Sequence, residues 1–180
     1  MLTLVIGGAR SGKSRYAQSL CTGHDVTFVA TARPDGTEDW RDRIERHRRD
    51  RPGRWCTREE ALDIPGVLRD LDGGETVLVD CITVWLSNVA YELRGLARIQ
   101  RETQILERIR DLIAVSTDRT VILVSNEIGT GIVPANPVAR EFRDTHGRAN
   151  QRLAAAADCV VLITAGLPLI LKGTDPAMRA

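Results

Sequence analysis

Residues 7–14 read GGARSGKS, which fits the form GxxxxGK[ST] between an apolar run and a helical pattern. The glycines let the backbone curl until its N–H groups converge, and the start of the following helix adds positive partial charge. In such a loop the lysine reaches the β and γ phosphates and the last hydroxyl ligates Mg²⁺. The spacing therefore predicts a cradle for a nucleoside triphosphate made of Gly7, Gly8, Ala9, Arg10, Ser11, Gly12, Lys13 and Ser14, with Lys13 as a catalytic charge. A Mg²⁺ held by Ser14 and phosphates calls for a carboxylate on a neighbouring strand to hold its water shell. Asp80, closing the run VLVD, has that form, although an aspartate there could also cap the helix that begins near Cys81. Glu127, just past VILVS, is a second strand-end carboxylate, either a base or metal-water partner or a loop hydrogen-bond acceptor.

A second constellation lies at residues 43–55, RIERHRRDRPGRW, where His47 stands among six arginines. Asp39–Arg43, Asp42–Arg46 and Glu45–Arg49 are spaced i,i+4 with the acid first, so a solvated helix with weak ion pairs explains half of them. Arg48, Arg51 and Arg54 are left over, and Pro52 stops the helix soon after His47. Spare guanidiniums can converge on a polyphosphate, and their like charge opposes protonation of the imidazole, keeping a ring lone pair available. That is the environment of a nucleophile. Attack on an α-phosphate would expel pyrophosphate and leave a nucleotidyl group on the ring. The competing reading is a surface histidine on an arginine-rich helix.

Both constellations need a frame that brings strand ends together. LTLVIG, VTFVAT, ETVLVDC, TVILVSN and CVVLIT are short, β-branched and nearly apolar throughout, the mark of strands buried on both faces. Helical patterns cover about 13–21, 38–50, 59–71, 82–92, 96–116 and 137–156. Apolar strands alternating with helices predict an α/β fold with a mostly parallel sheet covered on both sides. TARPDG after the second strand and NEIGTGIVPANP after the fourth are loops at carboxyl strand ends, where open α/β sheets bind ligands.

Composition narrows the function. With 180 residues and 43% hydrophobic content, one domain over 1–180 is expected. A net charge of +1 and 4% aromatic residues give no field or stacking surface for nucleic acid, so an RNA-binding module ranks low. So does a regulatory GTP switch, because an NKxD-type guanine-reading motif is missing. No apolar run approaches a membrane span and no signal-peptide pattern opens the chain, so a cytoplasmic location is expected. Cys21, Cys56, Cys81 and Cys159 form no CxxC pair and read as reduced thiols.

The chain resembles the bifunctional adenosylcobinamide kinase / adenosylcobinamide-phosphate guanylyltransferase family of cobalamin biosynthesis. The resemblance rests on GGARSGKSR (7–15), ATA (30–32), RIERHRRDRPGRW with TRE (43–59), VLVDCITVWLSN (77–88), VSNEIGTGIVPANPVAREFRD (124–144), GRANQRLAAAAD (147–158) and AGLPLILK (165–172). The first motif is common among NTPases; the histidine motif and the NEIGTGIVP loop are far more specific. The resemblance implies a P-loop NTPase-like three-layer fold, a homotrimer, and use of GTP, ATP and Mg²⁺. It implies phosphorylation of adenosylcobinamide, then GMP transfer to adenosylcobinamide phosphate through a guanylylated histidine at the position of His47.

By matching position, the resemblance also implies nucleotide contacts at Thr31, Ala32, Arg33, Arg48, Arg49, Asp50, Arg51, Glu59 and Asp80, with Ser14 and Asp80 at the metal. His146 stands where members commonly carry an apolar or small residue, and it is expected, like His24, to face solvent. Where the family often carries an acid and a small aliphatic residue before the histidine helix, this chain has Asp39 and Trp40, which bears only on the packing of that helix. The principal alternative is a single-activity small-molecule kinase in which His47 is incidental. Trp85 is expected in the core.

Overall fold

The computed structural model describes residues 1–21, 25–33, 53–175 and 177. Seven strands form one sheet in the order β3-β2-β4-β5-β1-β6-β7. They are β1 (Leu2–Gly7), β2 (Val26–Ala30), β3 (Cys56–Glu59), β4 (Thr76–Asp80), β5 (Thr120–Asn126), β6 (Cys159–Thr164) and β7 (Leu167–Lys172). The first six run parallel and only β7 is antiparallel. Parallel neighbours require crossovers, and the sequence supplies helices for them: α1 (Lys13–Ser19), α2 (Ile64–Arg69), α3 (Ile82–Glu92), α4 (Arg98–Val115) and α5 (Pro137–Ala156).

The two faces of the sheet carry separate cores. Leu4, Val79 and Leu123 point to the face covered by α2, α3, α4 and α5, where Ile64, Trp85, Ile109 and Leu153 pack on them. Val5, Phe28, Leu78, Val124 and Val161 point the other way, toward Ala17 of α1 and Trp55. Alternate residues of one strand thus serve two layers, which is why these strands read as unbroken apolar runs. The result is the expected three-layer α/β arrangement. Trp85 is fully buried, as expected, with its indole N–H donating to Leu62 O at 2.8 Å.

Three expectations need adjustment. The helical pattern over 59–71 is instead β3 followed by a shorter helix, because Asp63 caps α2 by accepting the Gly66 N–H at 3.0 Å, with Pro65 in the first turn. β3 itself was not anticipated. CTRE is exposed along its whole length and pairs only with β2, so it carries none of the apolar signal of an interior strand. β7 was missed as well: Ala165 and Gly166, with φ of 53° and 82°, turn the chain back as a tight hairpin, and Pro168 sits on an edge strand where a missing N–H is tolerated. The pattern over 38–50 lies outside the described residues.

Candidate active site

The carboxyl ends of five parallel strands meet along one edge of the sheet. Gly7 is in register with Asn126, Asp80 with both Val124 and Ala30, and Ala30 with Glu59. The cradle loop, Thr31–Arg33 and Asp80 therefore share that edge, and Glu59 joins them at the end of the unanticipated strand β3. β5 lies between the cradle strand β1 and β4, which bears Asp80. Two strand spacings separate the axes of β1 and β4 by about 10 Å.

The loop after β1 is shaped by steric demands that glycine meets. A Cβ on Gly7 would lie 2.6 Å from both Ile163 O and Ser11 Oγ. Gly12 has φ of 96°, and a Cβ there would meet Gly166 Cα at 3.3 Å, so the turn of the β6–β7 hairpin closes over the loop. Gly166 N–H donates to Ser11 O at 2.9 Å, which fixes the two turns together. Lys13 is 9% exposed and its Nζ donates to Gly8 O at 3.1 Å, holding the ammonium across the loop rather than out in solvent.

The donors left over suit an anion. Among the described residues, the backbone N–H groups of Ala9, Arg10, Gly12 and Ser14 have no hydrogen-bond acceptor, and Ser11 Oγ is buried without a partner. A buried hydroxyl left unpaired costs about 1–3 kcal/mol, and a phosphate oxygen is an acceptor that would remove that cost. The Ser14 hydroxyl and the Asp80 carboxylate are hard oxygen donors of the kind Mg²⁺ takes. Among the described residues no group of three or more His, Cys, Asp or Glu could hold a metal. A divalent ion at this edge would accordingly depend on phosphate oxygens and water for most of its ligands.

The remaining predicted positions divide by geometry. Thr31 is fully buried, and its Oγ1 both donates to Cys81 O and accepts Cys81 N–H, each at 2.9 Å. Its hydroxyl is thereby committed to tying the end of β2 to the residue after Asp80. Ala32 is half-buried beside it. Arg33 is exposed and lies 3.8 Å from Glu92, a surface pair of little energetic weight. Glu59 ends β3 and is exposed. Glu127 donates its N–H to Gly7 O at 3.0 Å, while its Oε1 accepts Gly129 N–H at 2.7 Å, the loop hydrogen bond that was one of its two expected roles. His47, Arg48, Arg49, Asp50, Arg51 and His24 lie outside the described residues.

Sequence reasoning missed a set of supporting side chains. Asn88 of α3 donates to Thr31 O at 2.8 Å and Ala61 O at 3.3 Å, bracing the loops after β2 and β3. His146 corrects the expectation most sharply. It is 1% exposed, with Nε2 at 3.0 Å from Thr83 Oγ1 and 3.3 Å from Ser125 Oγ. The spacing Phe142, His146, Ala149, Asn150, Leu153 along α5 is an inward stripe, and that phase was the available signal. Burial lowers the His146 pKa to about 4 from its ordinary 6.5.

That shift predicts a pH dependence. The unfolded chain binds the proton near pH 6.5 and the folded chain near 4, so the stability that neutral His146 confers is complete above 6.5 and declines as pH falls toward 4. The loss amounts to about 3 kcal/mol. Urea midpoints of wild type and His146→Gln between pH 7 and 4 check it; the wild type should fall more steeply.

Residues 3–171 match the family described as cobinamide kinase / cobinamide phosphate guanyltransferase. The bifunctional adenosylcobalamin biosynthesis protein CobU of Salmonella typhimurium is 40% identical over 183 residues, covering 96% of this chain and 100% of that protein. CobP of Pseudomonas aeruginosa, described in the same words, is 40% identical over 177 residues, covering 96% and 98%. Among solved structures, an ATPase of the type III secretion system of pathogenic bacteria aligns with a TM-score of 0.54 at 13% identity, covering 99% of this chain and 60% of that one. That likeness concerns the fold alone and agrees with a P-loop NTPase-like sheet. By the extent of the family match and the identity to full-length relatives, the chain belongs to the cobinamide kinase / cobinamide phosphate guanyltransferase family.

Proposed function

We propose that this chain carries both activities for which its family is named. It phosphorylates adenosylcobinamide with ATP or GTP, then transfers GMP from GTP to adenosylcobinamide phosphate to give adenosylcobinamide-GDP. The observation that carries the reading is the Gly7–Ser14 loop, its unpartnered donors facing no protein acceptor and Lys13 held across it, on the edge that also bears Asp80. Such a loop binds nucleotide polyphosphate.

In the first reaction the substrate hydroxyl attacks the γ-phosphorus, the bond to the β–γ bridging oxygen breaks, and the hydroxyl proton is released. Lys13 and the loop N–H groups hold the oxygens on which charge gathers, so the chain contributes chiefly position and electrostatics. Mg²⁺, when bound, neutralises charge on the β and γ oxygens; Ser14 and Asp80 are the residues that would hold it. In the second reaction a His47 ring nitrogen attacks the α-phosphorus of GTP and pyrophosphate leaves, forming an N–P bond. A phosphate oxygen of adenosylcobinamide phosphate then displaces the imidazole, restoring His47. Arg48, Arg49 and Arg51 are proposed to guide the triphosphate toward that ring.

The reading also places the enzyme in the cytoplasm, in keeping with four free cysteines, three of them buried, and assembles it as a homotrimer. Leu167, Leu169 and Leu171 on edge strand β7 are each more than half exposed and supply apolar surface for self-association. Incubation with α-labelled GTP tests the function: acid-labile, alkali-stable label on the protein, mapped to residue 47, is the expected result. A chain that phosphorylates adenosylcobinamide yet never takes label would be a single-activity kinase.

A further inference from the structure

Behind the strand ends, α5, β5 and α3 share a buried polar chain that neither reaction uses directly. One assignment of its protons satisfies both the bonds that link Asn126, Asn150 and Ser125 and those that link Asn126, Thr83 and His146. Asn150 Nδ2 donates to Asn126 O at 3.0 Å, which orients the amide so that Oδ1 accepts the Ser125 hydroxyl at 2.8 Å. Ser125 has then spent its single proton. Thr83 Oγ1 accepts the backbone N–H of Asn126 at 2.8 Å, so its own proton is available for the Nε2 lone pair of His146 at 3.0 Å. In that assignment a neutral imidazole accepts at Nε2 with its proton on Nδ1, and burial keeps the ring neutral.

Both backbone groups of Asn126 are thus gripped by side chains of two helices. Asn126 is in register with Gly7, and the next residue, Glu127, donates its N–H to Gly7 O at 3.0 Å. The tip of β5 therefore connects the cradle strand to its neighbour β4, which ends in Asp80. We infer that His146 is a positioning residue for phosphoryl transfer: by orienting the Thr83 hydroxyl it fixes the tip of β5 between the cradle and Asp80. The inference rests on the kinase reading given above. Without an acceptor at Nε2 the Thr83 hydroxyl can rotate, its lone pairs leave the Asn126 N–H, and the strand end loosens beside the loop. In-line transfer tolerates little of this, since a misplacement near 1 Å costs about 100-fold in rate.

Phe142 already lies beside the ring, with centroids 5.7 Å apart, so His146→Phe keeps the site filled while removing the acceptor. Its kcat for adenosylcobinamide phosphorylation should fall about ten-fold or more while the nucleotide KM stays within about two-fold. His146→Gln, whose amide oxygen can stand where Nε2 does, should recover kcat to within about three-fold of wild type. Thr83→Val should lose as much as His146→Phe, and the double variant no more than the worse single, because both break one chain.

Hydrogen exchange at the Asn126 amide reads the strand end without any activity and should quicken in both single variants. A folded His146→Phe enzyme with wild-type kcat, or with unchanged Asn126 exchange, overturns the inference. If His146→Phe does not fold, Thr83→Val decides alone, and wild-type kcat in it is equally fatal. Absence of kinase activity in the wild type would instead sink the functional reading, with Asn126 exchange still judging the hydrogen-bond chain.

Discussion

His47→Ala is expected to abolish GMP transfer, by roughly 10⁴-fold or more, and to abolish covalent labelling by GTP. Phosphorylation of adenosylcobinamide should remain within a few-fold of wild type. The asymmetry follows from what each reaction asks of the chain. GMP transfer as proposed proceeds through two displacements at the α-phosphorus, and both use the same ring nitrogen, first as nucleophile and then as leaving group. Removing it leaves no route of comparable barrier. The kinase step is a direct transfer at the γ-phosphorus, held by the Gly7–Ser14 loop, and needs no imidazole. Separate assays of the two reactions with one preparation check this, and equal loss of both would contradict separate roles.

Lys13→Ala is expected to cost about 10²–10³-fold in the kinase step, with weaker nucleotide binding as well. Lys13 is nearly buried and its Nζ is 3.1 Å from Gly8 O, so its charge is held over the loop at small entropic cost. Alanine would remove the only side-chain cation in GGARSGKS that is not solvent-exposed, Arg10 being exposed. Lys13→Arg should rescue poorly, because a planar fork does not fill the position of a compact ammonium beside that carbonyl. Steady-state kinetics with ATP and with GTP measure both variants; a Lys13→Ala enzyme within a few-fold of wild-type kcat would show that the charge in flight is offset elsewhere.

The parts of the fold that announce themselves in sequence are those whose environment is uniform along the chain. Interior strands such as VTFVA and VILVS are apolar on both faces because both faces are covered, and α3 and α5 run over the expected 82–92 and 137–156. Edges are harder to read. CTRE pairs on one side only and faces solvent, while LPLILK carries a proline and exposed leucines, so each lacks the pattern that burial imposes. The cradle was legible because its chemistry is local: eight consecutive residues carry the donors, the charge and the glycines that a phosphate loop requires.

What surrounds the cradle is another matter. The Thr31 hydroxyl is paired with both backbone groups of Cys81, a tie that the resemblance did not imply; His146 looked like a solvent-facing residue and is buried against Thr83 and Ser125. Their partners lie 50, 63 and 21 residues away, and a side chain's role there depends on which strand ends the sheet order makes neighbours. The sequence by itself determined the layered α/β class and the phosphate loop, since these follow from contiguous patterns of burial and donor chemistry, and its specific motifs pointed to the family by resemblance. Only the tertiary structure decided that β5 separates the cradle from Asp80 and that a buried imidazole lies against the hydroxyl accepting the N–H of its tip, because hydrogen bonds between distant segments exist only once packing has brought them together.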